Sequence, residues 1–226
     1  VIQSSGIGEG MIGAFRIAIT VVLSPVVRSW YNRWGATDEE VQQSLPGDDL
    51  VPNSRLGYTR AVTVLAPAAD VWPWLVQIGH GRGGLYSYDW LENLVGCDIH
   101  SSDQVVPEFQ DLTVGDIIGL GPEGYPCFAV VAIEPGQTLV LQGADPKTRQ
   151  PPQPTDSKTK GYVNASWAFF LDEQHDGTTR LIARQRLDYS RDMALIWRTA
   201  EPVNFVMERK MLLGLKTRAE AMACQS

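Results

Sequence analysis

Between positions 104 and 189 apolar side chains recur at every second residue, and after Glu201 they recur at three- and four-residue steps. This change of period constrains the chain more than any other feature. A run of half-buried strands has a face to cover, and a long amphipathic helix has a stripe to cover. Candidate strands are 104–109, 116–120, 127–134, 138–142, 165–172 and 178–189. Short turns such as Glu134-Pro135-Gly136 and Asp176-Gly177 separate most of them, as antiparallel hairpins require. The exception is 143–161, where Pro146, Pro151, Pro152 and Pro154 stand among polar residues, the composition of a disordered loop or a functional lid. In the terminal helix Pro202 suits a first turn, and Val203, Val206, Met207, Met211, Gly214 and Leu215 form the stripe, widened by Phe205, Leu212 and Leu213. Glu208, Arg209 and Lys210 are read as its wetter side.

Upstream, 58–65 alternates and is β-branched, a strand by pattern. Pro67 then opens a helix carrying Val71, Trp72, Leu75, Val76 and Ile78 on one side, and Ser87 is placed to cap a second helix over 88–95. Such elements bury their apolar faces in few ways. The expected fold is α+β: a curved antiparallel sheet wrapped on the long C-terminal helix, with a space left between them. On strand 178–189, Thr179, Leu181, Ala183, Gln185 and Leu187 share the inward face, and Arg180, Arg184 and Arg186 are expected to point to solvent.

The N-terminal part is of another kind. Residues 11–27 are apolar except for Arg16 and Pro25, the low end of what spans a bilayer, and Arg28, Trp30, Tyr31, Arg33 and Trp34 follow as an interfacial cluster. Two readings stand: a membrane anchor, or a helix packed on the domain, which Arg16 favours because a central charge in lipid costs a few kcal/mol. An anchor would leave the domain in the cytoplasm, tethered to the cytoplasmic face through 11–34, because Arg28 and Arg33 lie on its C-terminal side. Deleting 1–34 would then release a soluble, folded protein. Residues 35–57 are polar and read as a linker, with Thr37 and Glu40 at capping-box spacing for a short helix over 38–44. The divisions are therefore an apolar helix at 1–34, a linker at 35–57 and the main domain at 58–226.

Composition narrows the function. The 226 residues carry 44% apolar content and a net charge of −7, which supplies a core but not the clustered positive field that nucleic acid requires. Cys97, Cys127 and Cys224 have no C-x-x-C spacing, and His80, His100 and His175 are not paired, so neither a metal nor a cofactor site is expected. Gly79-His80-Gly81-Arg82-Gly83-Gly84 formally matches G-x-G-x-x-G, but it follows a helix instead of a strand. The signatures of serine hydrolases, P-loop proteins and zinc proteases are absent.

With these residues in view, the chain resembles the START-like (SRPBCC) superfamily with its helix-grip fold. The carriers are V-T-V-L-A-P-A-A-D-V-W-P-W-L from Val62, V-G-D-I-I from Val114, the hairpin turns, and E-P-V-N-F-V-M-E-R-K-M-L-L-G-L-K from Glu201. Within it the chain is similar to the polyketide cyclase/dehydrase-like branch, through Gly81-Arg82-Gly83-Gly84, Tyr86-Ser87-Tyr88-Asp89-Trp90, Glu92-Asn93, Asp98-Ile99-His100, Glu208-Arg209-Lys210 and the W-G-A-T-D-E-E that starts at Trp34. The resemblance implies a cavity for a hydrophobic or amphipathic small molecule, lipid- or polyketide-like. It leaves open a carrier or sensor, a cyclase/aromatase-type enzyme, and an interaction subunit of a membrane assembly. Candidate ligand contacts are Trp74, Tyr86, Tyr88, Trp90, Trp167, Phe169, Leu181, Ala183, Met207 and Met211. Candidate proton-transfer groups are Asp89, Glu92, His100 and Glu208, each with a bland alternative: a helix N-terminus explains Asp89 and Glu92, and a lone histidine is more often structural. Arg82 is either a clamp for an anionic head group or a solvated loop residue.

Overall fold

Leu56, Tyr58, Arg60, Val62 and Val64 share one face of strand β1 (Leu56–Val64), with small or polar side chains on the other, and each later element is placed by the face it covers. The computed structural model describes residues 3–152 and 159–225. After β1 come helices α3 (Ala68–Val76) and α4 (Asp89–Leu94), then strands β2 (Ile117–Gly119), β3 (Cys127–Glu134), β4 (Thr138–Ala144), β5 (Val163–Glu173) and β6 (Thr179–Tyr189). The chain closes with helix α5 (Ala194–Ala223), and α1 (Gln3–Asn32) and α2 (Asp38–Gln42) precede β1. The strands form one curved, wholly antiparallel sheet in the order β1-β6-β5-β4-β3-β2, so the first and last strands pair although the other four lie between them in the chain. With α5 laid along the inner face, this is the helix-grip arrangement.

One end of the inner face is filled. Val62, Val64, Phe169, Leu171, Leu181 and Ala183 from the sheet meet Val71, Trp74 and Leu75 of α3 and Leu212, Leu215 and Ala219 of α5 in one buried cluster. Each fully buried valine, leucine or phenylalanine among them contributes ~1.5–3 kcal/mol. Gly214 sits where α5 passes closest to the loop below it, and a Cβ there would run into the Tyr86 carbonyl.

The outer face corrects two expectations. Segment 35–57 does not hang free: Ala36, Leu45 and Leu50 pack on Ala61, Val140, Ala168, Phe170 and Ile182. Nor does Arg184 reach solvent. It is buried beneath this segment, donating to the carbonyls of Glu40, Val41 and Gln43 and pairing with Asp48 at 2.8 Å, while Arg180 pairs with Glu40 at 2.6 Å. Guanidinium groups fit here because the end of a short helix leaves carbonyls for a fork of donors to cap. The Thr37–Glu40 capping box forms, but the helix it starts ends at Gln42.

Three further boundaries move. Residues 104–109 form no strand, because the Gln77 side chain holds Val106 N and the Gln104 carbonyl, and Pro107 starts a single 3-10 turn. Ser87 does not cap α4; its hydroxyl donates to the Met207 carbonyl of α5. Helix α5 begins at Ala194, so Pro202 lies inside it, where its missing N–H leaves the Arg198 carbonyl without its intrahelical partner. Within the proline-rich stretch, Asp145 gathers Lys147 N and Thr148 N into a turn, and 153–158, with Pro154, lies outside the described residues.

Helix α1 is long and apolar enough, by length and composition, to cross a membrane. One side of it docks. Gly10 and Gly13 leave room for the Trp90 ring and for Tyr88 and Leu91 of the α4 region, and Tyr31 is wholly buried, stacked on Phe205 of α5 at 5.3 Å. Polar clamps fix the contact: Glu201, 2% exposed, accepts from Arg28 Nε at 2.8 Å and from Asn32 Nδ2 at 2.7 Å, and Arg16 donates to the Tyr88 hydroxyl at 2.9 Å. The other side is bare: Met11, Ile12, Phe15, Ile19, Val22, Val26 and Trp30 are exposed at helical spacing, Val26 at 82%.

Candidate functional site

At the end of the sheet that α3 does not fill, the first half of α5 stands away from β5 and β6 and a cavity of about 340 Å³ remains. Phe128, Ala165, Trp167, Gln185 and Leu187 form its sheet wall, Trp197, Asn204, Met207, Glu208 and Met211 its α5 wall, and Leu85, Ser87 and Glu92 close it from the α4 side. The walls are mostly apolar, with a few polar groups converging on them, as small-molecule sites are built.

The floor is a buried ion pair. Arg60, 0% exposed on the inner face of β1, has Nη1 against Glu208 Oε2 and also donates to Asn204 Oδ1 at 2.8 Å, while its Nε donates to the Tyr31 carbonyl at 3.0 Å. Glu208 Oε1 accepts from Trp167 Nε1 at 2.8 Å and from Gln185 Nε2 at 3.0 Å, and Asn204 Nδ2 donates to Gln185 Oε1 at 3.2 Å. The guanidinium also lies over the Tyr58 and Phe205 rings. Both charges are out of water and are matched by each other and by neutral hydrogen bonds, with Arg60 Nη2 left without a partner among the described residues. The Tyr58 hydroxyl beside them is pushed well above the usual phenol range, first by burial and then by the Glu201 charge.

Glu92 is of a different sort. It is 7% exposed, and among the described residues its Oε2 has no hydrogen-bond partner. Burial, and then the neighbouring Asp89 charge, push its carboxyl up to about 7, against a smaller lowering by the Ser87 hydroxyl beside it. A carboxyl raised in this way holds its proton longer in the folded than in the unfolded chain. The associated stability is complete below the ordinary carboxylate value and falls as pH rises toward 7, each tenfold difference in proton affinity being worth about 1.4 kcal/mol. Between about pH 5 and pH 8 the wild type is therefore expected to lose roughly 2–3 kcal/mol relative to Glu92→Gln in urea unfolding, and parallel profiles would show that the carboxyl is not desolvated.

The other candidates divide by place. Trp167, Met207 and Met211 line the cavity, with Glu92 and Glu208. Trp74, Tyr86, Phe169, Leu181 and Ala183 lie in the filled cluster instead, because α3 occupies that end of the sheet. Tyr86, raised to about 12 chiefly by burial, accepts from Gln77 at 2.7 Å. Tyr88 and Trp90 face α1. Asp89 binds Ser101 N and Oγ, both at 2.7 Å, and pins the loop after α4. His100 is exposed beside Asp98. Arg82 reaches the Val76 and Phe109 carbonyls and stacks on Phe109, and burial lowers its pKa, so it braces the glycine-rich loop from within.

Of the three residues expected on the wetter side of α5, Glu208 is buried in the floor, Arg209 lies over Trp34 and Lys210 pairs with Glu9, because α1 and the cavity cover that side of the helix. Arg60 and Trp197 were not foreseen. Arg60 had a legible signal, a charge at an inward position of an alternating strand, which demands a buried partner. Trp197 has none, because it lies upstream of Pro202, the residue that suits a helix start, in a segment that is helical all the same.

No family model matches the sequence, and no curated protein matches it. Solved structures similar to it include protein NE0264 from Nitrosomonas europaea, with 14% identity over 75% of this chain and 97% of that one at a TM-score of 0.44. Truncated norcoclaurine synthase from Thalictrum flavum is similar at 11% identity over 72% and 91%, TM-score 0.41, and CalU16 from Micromonospora echinospora at 14% over 74% and 86%, TM-score 0.32. At these levels the likeness carries nothing about ligand or activity; the helix-grip arrangement stands on the strand order and α5 packing described above.

Proposed function

We propose that this protein, a START-like chain by its sequence motifs and its helix grip, binds a hydrophobic small molecule between the sheet and the first half of α5 and holds or carries it out of water. The observation that supports the reading is the cavity, walled by Phe128, Trp167, Leu187, Met207 and Met211 at one end of a sheet whose other end is filled. A chain folding only for stability would close such a space, since interiors pack to near-crystalline density. Replacing Ala165 by Trp fills the cavity from β5. The substituted protein is expected to lose uptake of naphthalene, followed by quenching of tryptophan fluorescence, by a factor of ten or more while keeping its circular dichroism spectrum. Undiminished uptake places the ligand elsewhere.

Glu92 supports a second reading, a cyclase-type enzyme, because a general acid–base group works best with a pKa near the working pH and within reach of the substrate. That reading requires a bound compound to be converted and conversion to fail in Glu92→Gln. Binding needs neither.

The bare side of α1 supports lipid as the surface on which the protein works. From Met11 to Trp30 it is apolar over roughly 28 Å, the length of nineteen helical steps, and α1 carries no carboxylate after Glu9. Exposed Trp30, Arg28 and Arg33 stand at its C-terminal end, the residue types that settle at head groups. The docked side holds Glu201, Lys210 and Arg209 close by, so α1 fits a position in the plane of the interface better than one across it.

A further inference from the structure

We propose that the cavity takes an uncharged, largely apolar molecule bearing a carbonyl or hydroxyl oxygen, which accepts a hydrogen bond from the Glu92 carboxyl group. This deepens the small-molecule reading and rests on it. The argument begins with the charges in the wall. Among the described residues the lining contains two carboxyl groups, Glu92 and Glu208, and no lysine, arginine or histidine. Glu208 is fully engaged with Arg60, Trp167 and Gln185, and Arg60 is turned to Glu208, Asn204 and the Tyr31 carbonyl. An anionic ligand such as a fatty acid would bring a further negative charge to this wall and find no free cation.

Glu92 is what remains to recognise a ligand. Its Oε2 is buried without a partner, and on the opposite wall Trp197 Nε1, also buried, lacks one too. The charged and titratable groups around Glu92 offer it no counter-charge. Asp89 and Cys97 flank it on its own segment, Glu208 faces it from α5, and the Tyr125 hydroxyl is spent on the Val95 carbonyl behind it. Arg16 of α1 is bound to the Tyr88 hydroxyl on the far side of α4. With its carboxyl pushed up to about 7, Glu92 serves as a hydrogen-bond donor through the acidic half of the physiological range. A neutral acceptor satisfies that donor, with Trp197 Nε1 as a second, and buries no charge. An ammonium ligand would require Glu92 ionised in apolar surroundings, a costly pair to bury.

Four probes of one shape separate the possibilities: naphthalene, methyl naphthyl ketone, naphthoate and naphthylmethylamine, titrated into the intact chain by calorimetry. The ketone is expected to bind about tenfold or more tightly than naphthoate, and to weaken about tenfold from about pH 6 to about pH 8 as the donor form is depleted. Glu92→Gln, which keeps a donor, should hold the ketone with no pH dependence. Glu92→Leu, left with Trp197 Nε1 alone, should lose most of the preference for the ketone over naphthalene. A preference for naphthoate or the amine, or a Glu92→Leu variant that favours the ketone as strongly as the wild type does, overturns the polarity proposal and leaves the cavity reading standing. If none of the four binds, naphthalene included, the cavity reading fails and takes this inference with it.

Discussion

Replacing Glu208 by leucine is expected to destabilise the protein by about 3–5 kcal/mol, the cost of leaving a buried charge without its partner. Arg60 is 0% exposed and cannot turn to water, and its Nη1 would keep only Asn204 Oδ1. Trp167 Nε1 and Gln185 Nε2 would lose their acceptor in the same step, and each unsatisfied buried donor costs a further ~1–3 kcal/mol unless water enters from the cavity. Much of the domain's stability would go, since single domains hold on the order of 5–15 kcal/mol in all. The double replacement of Arg60 by Met and Glu208 by Leu removes both charges and should recover most of the loss, giving a large coupling energy in a double-mutant cycle followed by urea unfolding. A cost for Glu208→Leu below about 1 kcal/mol would mean that the pair is hydrated through the cavity and contributes as surface pairs do.

The same pair marks how far the sequence could be read. Periodicity alone separates the faces of β6, with Leu181, Ala183, Gln185 and Leu187 inward, because a strand's side chains alternate whatever packs on it. What covers a face is tertiary information. Arg184 belongs to the outward set, yet it is buried because segment 35–57 folds over it, and that segment's polar residues gave no sign of packing. Glu208 sits among Arg209 and Lys210 and so looked like part of a solvated side; its burial depends on Arg60, 148 residues earlier in the chain.

The cavity follows the same rule. An apolar inner face was legible, but the end of it left open was not. That depends on α3 filling one end beside Trp74 and Phe169, and on α5 extending upstream of Pro202 to bring Trp197 over the other. Glu92 was legible as a carboxyl in an early helical turn, where the helix dipole explains it. Its burial without a partner could be seen only once Met207 and Glu208 of α5 were placed across from it.

Helix α1 gives the second large effect, because one of its sides is packed on the domain and the other is bare. Deleting residues 1–34 is now expected to unfold the domain or weaken it by on the order of 3–5 kcal/mol, contrary to the simple release of a folded protein. The deletion uncovers Phe205 and Val206, strands the buried Glu201 without Arg28 and Asn32, and takes the Tyr31 carbonyl from Arg60. Replacing Val22 and Val26 by glutamate touches only the bare side. Their exposures, 76% and 82%, place the change in stability within roughly 0.5 kcal/mol. On lipid the same two substitutions should act strongly, because they set two carboxylates in the middle of the surface offered to the acyl chains. The wild type is expected to sediment with anionic phosphatidylglycerol vesicles, and the double variant to stay in the supernatant with an unchanged unfolding midpoint. If the wild type ignores vesicles, the bare side belongs to a protein partner; if the variant sediments as well as the wild type, lipid meets some other part of the surface.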